Sequence, residues 1–193
     1  MRVITFDIES ISDSAVRGRV DVTEQELTIV AIHDSETGEL SSYAREELPK
    51  LWPIIERADA LVGFNSDSFD IPLLNRYYPG DLTRIRSIDL LVEVQKVLGR
   101  RIRLQSIAEG TLKAGKSGDG LKAMEWWREG KYDLVRKYCM EDVRLTRAIF
   151  DYALEHNSLK YKDLRTAREI KLDTSTWLAP AESAPVLTHA LGL

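Results

Sequence analysis

The chain has 193 residues, of which 44% are hydrophobic and 30% charged, a composition typical of one globular domain rather than a disordered chain. Its formal net charge of −4 gives no overall attraction to nucleic acid or to an anionic membrane, and its single cysteine, Cys139, excludes an internal disulfide and a cysteine-based metal cluster. Because no apolar run approaches the ~20 residues of a membrane span and no signal-peptide profile opens the chain, we expect a cytoplasmic protein without membrane contact.

The first ninety residues alternate strand patterns with helical ones. The β-branched runs "RVITFDI" and "ELTIVAIHD" predict two buried strands, and the turn "SETGEL" joins the second to a third strand, "SSYA". "REELPKLWPIIERA" predicts a helix shortened by its two prolines. The strand "DALVGFN", the helix "SFDIPLLNRYY" and the strand "RIRSIDL" follow in that order.

The second half of the chain is mainly helical. "LVEVQKVLG" predicts a helix stopped by glycine, and "RLQSIAEGTL" predicts a short helix before the polar loop "KAGKSGDG". From about Leu121 to Asn157 the pattern is helical with a break near "EGKYD", and "LKYKDL" with "REIKLD" predicts a C-terminal β-hairpin. We therefore expect one α/β domain with a mixed central sheet at residues 1–177, and a loosely ordered tail at residues 178–193.

Four carboxylates have apolar neighbours. In "FDIES" the strand period of two places Asp7 and Glu9 on the same side of the sheet. In "GFNSDSFDIPLL", Asp70 lies between a phenylalanine and an isoleucine, and Asp142 falls on the inward stripe of the last long helix. The other members of that stripe are Val135, Tyr138, Leu145 and Ile149.

Buried carboxylates are costly unless they are paired or coordinated, and clustered ones raise one another's pKa values. Mg²⁺ and Mn²⁺ take oxygen ligands and would relieve both problems. A pair of such ions activates a water and stabilises the leaving oxygen in phosphodiester hydrolysis. Any one of the four acids taken alone is more often a cap, a turn residue or half of an ion pair, but the set in this order favours a two-metal site.

The segments "FDIES", "GFNSDSFDIPLL" and "YCMEDVRLT" resemble the three motifs of the DEDD superfamily of 3′–5′ exonucleases. They are most similar to the proofreading domain of family B DNA polymerases and its stand-alone relatives. The resemblance covers roughly residues 1–150 and implies a ribonuclease H-like fold with a mixed five-stranded sheet. It also implies that Asp7, Glu9, Asp70 and Asp142 hold two Mg²⁺ or Mn²⁺ ions.

The third motif resembles the tyrosine subtype of that superfamily, because Tyr138 precedes Asp142 by four residues and no histidine stands in its place. The resemblance implies that the phenol acts on the attacking water. Since an unperturbed phenol has a pKa near 10, we expect it to orient the water rather than deprotonate it. In the second motif, Asn65 and Phe69 are candidates for substrate contact, with a turn role and core packing as the respective alternatives.

Basic residues concentrate between Arg84 and Lys122, where nine Lys/Arg stand against four Asp/Glu. Lys113 and Lys116 are candidates for contact with a phosphate backbone, and a solvated surface is the alternative. Residues 110–117, "GTLKAGKS", also satisfy the P-loop pattern, but the preceding segment is spaced like a helix rather than a strand. Trp126 and Trp127 cannot share a helical face, so packing is favoured for both, with base stacking as the alternative for the more exposed one.

The sequence and its resemblance together predict a metal-dependent 3′–5′ exonuclease that releases nucleoside monophosphates from DNA or RNA. Its partner would be a single-stranded 3′ end, in a pathway such as DNA repair, with any protein partners acting in trans. A non-catalytic nucleic-acid-binding module with the same fold is the alternative, and a P-loop nucleotidase is a weaker third. Replacing Lys116 by Ala should abolish activity only in the nucleotidase.

Overall fold

The computed structural model describes residues 1–12, 21–114, 120–163 and 166–179. Five strands form one sheet with the order β3-β2-β1-β4-β5. The strands are β1 Val3–Ile11, β2 Glu26–Asp34, β3 Leu40–Ala44, β4 Ala60–Gly63 and β5 Arg86–Asp89. The first three pair antiparallel, whereas β4 runs parallel to both β1 and β5. The mixed central sheet predicted from the sequence is therefore confirmed.

Six helices and a hairpin complete the described structure. The helices are α1 Leu48–Ile55, α2 Asp70–Asn75, α3 Leu90–Leu98, α4 Leu104–Thr111, α5 Gly120–Arg128 and α6 Tyr132–His156. Strands β6 Ser158–Asp163 and β7 Thr166–Lys171 pair antiparallel and form the predicted C-terminal hairpin. Short 3-10 turns lie at Val22–Glu24, Arg45–Glu47 and Leu82–Arg84.

The alternation of side chains along β1 separates the two faces of the sheet. Phe6 and Ile8 point toward α1 and α2 and belong to the cluster that packs there. Asp7 and Glu9, on the opposite face, point toward α6, which contacts β1, β2, β3 and β4. Because α6 lies across the centre of the sheet, the face that carries these two acids is covered by a helix instead of open solvent.

The predicted domain limits are only partly covered by the described residues. Trp177 is buried and stacks against Phe150 of α6, with ring centroids 5.7 Å apart. Trp177, at the end of the predicted domain, therefore packs against α6. Most of the predicted tail, residues 180–193, lies outside the described part of the chain. Among the described helices, none combines the length and apolar character needed to cross a membrane.

Candidate metal centre and active site

The carboxyl end of β1 carries two of the four predicted acids. Asp7 and Glu9 lie two residues apart on the same face, and an irregularity in the pairing with β2 follows directly between Glu9 and Ser10. A carboxylate oxygen of each residue lies within 4.8 Å of the other and of the Cys139 sulfur. Both side chains are partly exposed, so an ion or substrate can reach them from this end of the sheet.

Asp70 opens α2, close to the end of β1. Its side chain is 5% exposed, and its carboxylate accepts hydrogen bonds from the backbone N–H of Ile8 and from its own backbone N–H. Ile8 lies between Asp7 and Glu9 in the strand, so this bond ties the second motif directly to the first. Burial nevertheless raises the pKa of Asp70 to about 7, and the nearby Asp89 carboxylate adds to the effect.

Helix α6 brings Tyr138 and Asp142 to the same place. They are four residues apart and therefore share one face of the helix. The Tyr138 hydroxyl donates a hydrogen bond to the Asp142 carboxylate, and the ring of Trp126 meets the Tyr138 ring edge-on at 6.3 Å. Burial and the carboxylates of Asp142, Glu9 and Asp7 raise the pKa of Tyr138 well above its ordinary value. The phenol therefore stays protonated at neutral pH.

The charges of Asp70 and Asp142 act on both Asp7 and Glu9. Burial, followed by the charges of Asp70, Glu9 and Asp142, raises the pKa of Asp7 well above its ordinary range. Burial with Asp142 and Asp70 raises the pKa of Glu9 to about 8. Two full negative charges 4.8 Å apart repel by roughly 3 kcal/mol at an effective dielectric constant of about 20. The cluster is therefore costly to ionise in the protein alone.

The acid cluster has the chemistry of a hard divalent cation site. Within the described residues, Asp7, Glu9 and Asp70 form no ion pair with a lysine or arginine. Oxygen donors converge from β1, α2 and α6, and Mg²⁺ and Mn²⁺ prefer such donors. A positive charge at this position would lower the pKa values that burial and mutual repulsion raise.

Cys139 contributes a thiol to the same cluster. It is fully buried, and its Sγ donates to the Asp7 backbone oxygen at 3.3 Å and lies 3.6 Å from Asp7 Oδ2. Burial and the charges of Asp7 and Glu9 raise the pKa of the thiol well above its ordinary value. Cys139 is therefore a protonated donor that supports Asp7.

Asp89 is a fifth acid, which no pattern in the sequence distinguishes. It is 2% exposed at the end of β5. Its Oδ1 accepts from the backbone N–H of Asn65 at 2.8 Å and Leu91 at 2.9 Å, with Val92 at 3.4 Å, and its Oδ2 accepts from Asp67 N–H at 3.0 Å. Asp89 thus caps α3 and also fixes the loop that leads to Asp70.

Asn65 belongs to this fixed loop. Its backbone has φ of 69°, in the left-handed region that asparagine tolerates better than most residues. The guanidinium of Arg101 donates to its side-chain oxygen. Arg101 is exposed and follows α3, so the loop after α3 places a cation beside the second motif. In the sequence, Arg101 is one of nine basic residues between Arg84 and Lys122, and no motif distinguishes it from the others.

Comparison with known proteins decides the family. A family model described as the RNase_H superfamily matches residues 4–154, which include every acid of the cluster. The chain belongs to the RNase H superfamily. Members of this superfamily are generally nucleases that act on nucleic acids and typically use divalent metal ions. The predicted fold class is therefore confirmed.

A solved family B DNA polymerase from the hyperthermophilic archaeon Pyrobaculum calidifontis shares this RNase H-like fold, with a TM-score of 0.61 and 20% identity. The match covers 79% of this chain and 24% of the polymerase, so the chain spans about a quarter of that protein's length. At this identity the likeness shows the fold alone. Among curated proteins, a search finds no significant match.

The other predicted substrate contacts are Phe69, Lys113 and Lys116. Phe69 is half-buried and packs against the core cluster beneath α2, which favours its structural role. Lys113 is exposed after α4 and lines a cavity of about 450 Å³ with Lys162 of the hairpin. Lys116 lies outside the described part of the chain. The roles of these residues stay predictions.

The P-loop pattern at 110–117 does not have the geometry that its chemistry needs. A phosphate-binding P-loop follows a buried strand, whereas Gly110 lies inside α4. A Cβ on Gly110 would come within 2.6 Å of the Tyr161 backbone, so this glycine allows α4 to pack closely on β6. Residues 115–117 lie outside the described residues. The segment that begins the motif therefore lacks the strand-to-loop geometry that a P-loop nucleotidase needs, and that interpretation is wrong.

Proposed function

We propose that the protein is a metal-dependent 3′–5′ exonuclease that hydrolyses phosphodiester bonds of DNA or RNA and releases nucleoside monophosphates. The observation that carries this proposal is the closeness of Asp7, Glu9, Asp70 and Asp142, because the charges of Asp70 and Asp142 raise the pKa values of both Asp7 and Glu9. Membership of a superfamily composed largely of nucleases supports it. Direction and end-requirement rest on the resemblance of the three motifs to DEDD exonucleases.

The four acids would hold two Mg²⁺ or Mn²⁺ ions. When bound, such ions lower the pKa of a coordinated water and neutralise charge on the scissile phosphate and the leaving oxygen. The protein's contribution is to hold its oxygen donors in place. Asp70 is held by the backbone of Ile8, and Asp7 by the thiol of Cys139.

Tyr138 is assigned to orienting the attacking water. A general base must be able to accept a proton, and a phenol whose pKa is raised above its ordinary value remains protonated at neutral pH. Because its O–H is donated to Asp142, its oxygen can accept a hydrogen bond from a water beside that carboxylate and so fix the position of the water. This supports the expectation, made from the sequence, that the tyrosine positions water and does not deprotonate it.

A degradation ladder tests the proposal. The protein is incubated with 5′-labelled single-stranded DNA and RNA in Mg²⁺, Mn²⁺ or EDTA, beside Asp7→Ala and Asp142→Ala. We expect products that shorten from the 3′ end, are lost in EDTA and are lost in both variants. Asp151→Asn, an exposed acid on the same helix α6, is the matched control and should keep full activity. Binding of both strands without cleavage under any metal would refute catalysis and leave a binding module.

A further inference from the structure

A concave site lies near the acid-bearing end of β1, because Ile11 of that strand lines it. It is a cavity of about 330 Å³ between the start of β2, the end of β3 and the turn that joins α5 to α6. Its lining combines polar residues at the rim with the apolar residues Ile11, Leu27 and Ile29 and the rings of Trp127 and Tyr132. This size and lining are typical of a pocket for a small planar ligand.

The aromatic wall is unusually accessible. The rings of Trp127 and Tyr132 lie 4.5 Å apart at 55°, and the Tyr132 side chain is 50% exposed. Among the described residues, large hydrophobic side chains are strongly exposed at four positions, and two of these, Tyr132 and Leu134, open α6. A partly exposed ring that already contacts a second ring presents a stacking face to a ligand.

The charges at the rim are balanced, which restricts the kind of occupant. Arg136 donates to the Ser42 backbone oxygen at 2.9 Å and to Glu47 at 2.7 Å. Arg45 pairs with Glu26 at 3.4 Å. Because both rim arginines are neutralised by the protein, the cavity offers an isolated phosphate little attraction and favours an uncharged aromatic group.

The cavity and the acid cluster share the same elements. Ile11 lies on the same face of β1 as Glu9, two residues and therefore about 7 Å farther along the strand. Trp126 contacts Tyr138 of the acid cluster, while its neighbour Trp127 lines the cavity. At about 3.4 Å per nucleotide in a stacked strand, the separation corresponds to roughly two nucleotides.

We propose that this cavity binds a nucleobase, stacked on Tyr132 and Trp127, from a nucleotide one to three positions away from the bond that is cleaved. The inference rests on the proposed nuclease function, because it takes the strand held at the acid cluster as the source of the base. The cavity lies on the β2–β3 side of β1, whereas Asn65 and Arg101 lie on the β4 side. A nucleic-acid strand that crosses the end of β1 would therefore contact the protein on both sides of the acids.

Binding of a 5′-labelled single-stranded oligonucleotide, measured by fluorescence anisotropy in EDTA, tests the proposal without cleavage. Tyr132→Ala should weaken binding roughly five- to hundredfold, the range expected for one stacked base, and Tyr132→Phe should keep the wild-type affinity. Leu134→Ala removes a neighbouring exposed apolar side chain from the same helix end and should also bind as the wild type does. Equal losses in Tyr132→Ala and Leu134→Ala would overturn the proposal.

Two further measurements locate the base and its source. A series of oligonucleotides carries one abasic site at successive positions counted from the 3′ end. Wild type should bind one of the first three members of the series more weakly than the intact oligonucleotide. Tyr132→Ala should bind all members of the series with equal affinity. Adenosine monophosphate competing at this site would identify a free nucleotide as the occupant and overturn the strand as the source. If strands are cleaved and Tyr132→Ala binds normally, only the pocket proposal fails. If wild type neither binds nor cleaves a strand in Mg²⁺ or Mn²⁺, this proposal and the proposed function fail together.

Discussion

Glu9→Gln should stabilise the metal-free protein at pH 8 while removing its response to metal. The pKa of Glu9 is raised from its ordinary 4.5 to about 8 by burial and by the charges of Asp142 and Asp70. Because each pKa unit corresponds to about 1.4 kcal/mol, ionising Glu9 in the folded protein costs up to roughly 5 kcal/mol. Since the acids titrate together, we expect the measured gain from Glu9→Gln to be about 2–4 kcal/mol.

The direction of the pH dependence follows from the raised pKa. Between about pH 4.5 and pH 8 the folded protein holds a proton on Glu9 that the unfolded chain has already lost. The free energy of unfolding of the metal-free wild type should therefore fall as the pH rises through this window. Glu9→Gln should match wild type at pH 5 and exceed it at pH 8, where the difference in melting temperature would be roughly 5–15 °C.

Urea unfolding followed by circular dichroism, at pH 5 and pH 8 in EDTA and in Mg²⁺, measures these differences. Wild type should gain about 2.7 kcal/mol when Mg²⁺ is present at 100 times its dissociation constant, and Glu9→Gln should gain much less. Glu39→Gln, an exposed acid in the turn at the other end of β2, is the matched control and should follow wild type throughout. Identical unfolding of wild type and Glu9→Gln at pH 8 in EDTA would refute the electrostatic argument for the metal centre.

Three other substitutions test separate parts of the structure. Tyr138→Phe keeps the ring against Trp126 but loses the donor to Asp142, so kcat should fall roughly 10- to 100-fold. The Mg²⁺ concentration that gives half-maximal activity should stay the same. Steady-state kinetics at a series of Mg²⁺ concentrations measures both, and an unaltered kcat would exclude a role for the phenol. Asp89→Asn turns an amide NH₂ toward a backbone N–H, so the free energy of unfolding should fall by about 1–3 kcal/mol and the Mg²⁺ concentration needed for activity should rise. Urea unfolding measures the first effect and Mg²⁺ titration of the activity measures the second. Values equal to those of the wild type in both assays would contradict the positioning role of Asp89. Gly110→Ala forces α4 away from β6 and should lower stability by about 1–3 kcal/mol; an unchanged melting temperature would contradict the close contact.

Local patterns predict the elements of this fold better than their arrangement. The sequence places β2 at its observed bounds, Glu26–Asp34, because β-branched residues end there at a turn. In contrast, β4 lies beside β1 through pairs such as Val3 with Ala60, and no local pattern specifies contacts across so many residues. Helix α2 is shorter than predicted because the residues before Asp70 form the loop that Asp89 holds.

Asp89, which the sequence analysis does not select, differs from the predicted acids in how clearly the local sequence pattern marks it. Asp7 and Glu9 stand out because the strand period places two charges on one face. Asp89 precedes a helical pattern and therefore looks like an ordinary N-cap, a role that it does fulfil toward Leu91. Its further bonds to the loop at Asn65 and Asp67 come from a segment more than twenty residues away, which the sequence pattern around Asp89 does not indicate.

The two kinds of buried acid can be separated by their hydrogen bonds. Asp89 accepts from four backbone N–H groups, so the cost of its burial is offset within the protein itself. Within the described residues, the Glu9 carboxylate accepts no hydrogen bond, although burial raises its pKa to about 8. An acid without such donors costs free energy when it ionises, and a bound cation would offset that cost. A carboxylate in this sheet thus serves the structure where amides surround it, and under the proposed function it would hold a cation where other acids surround it.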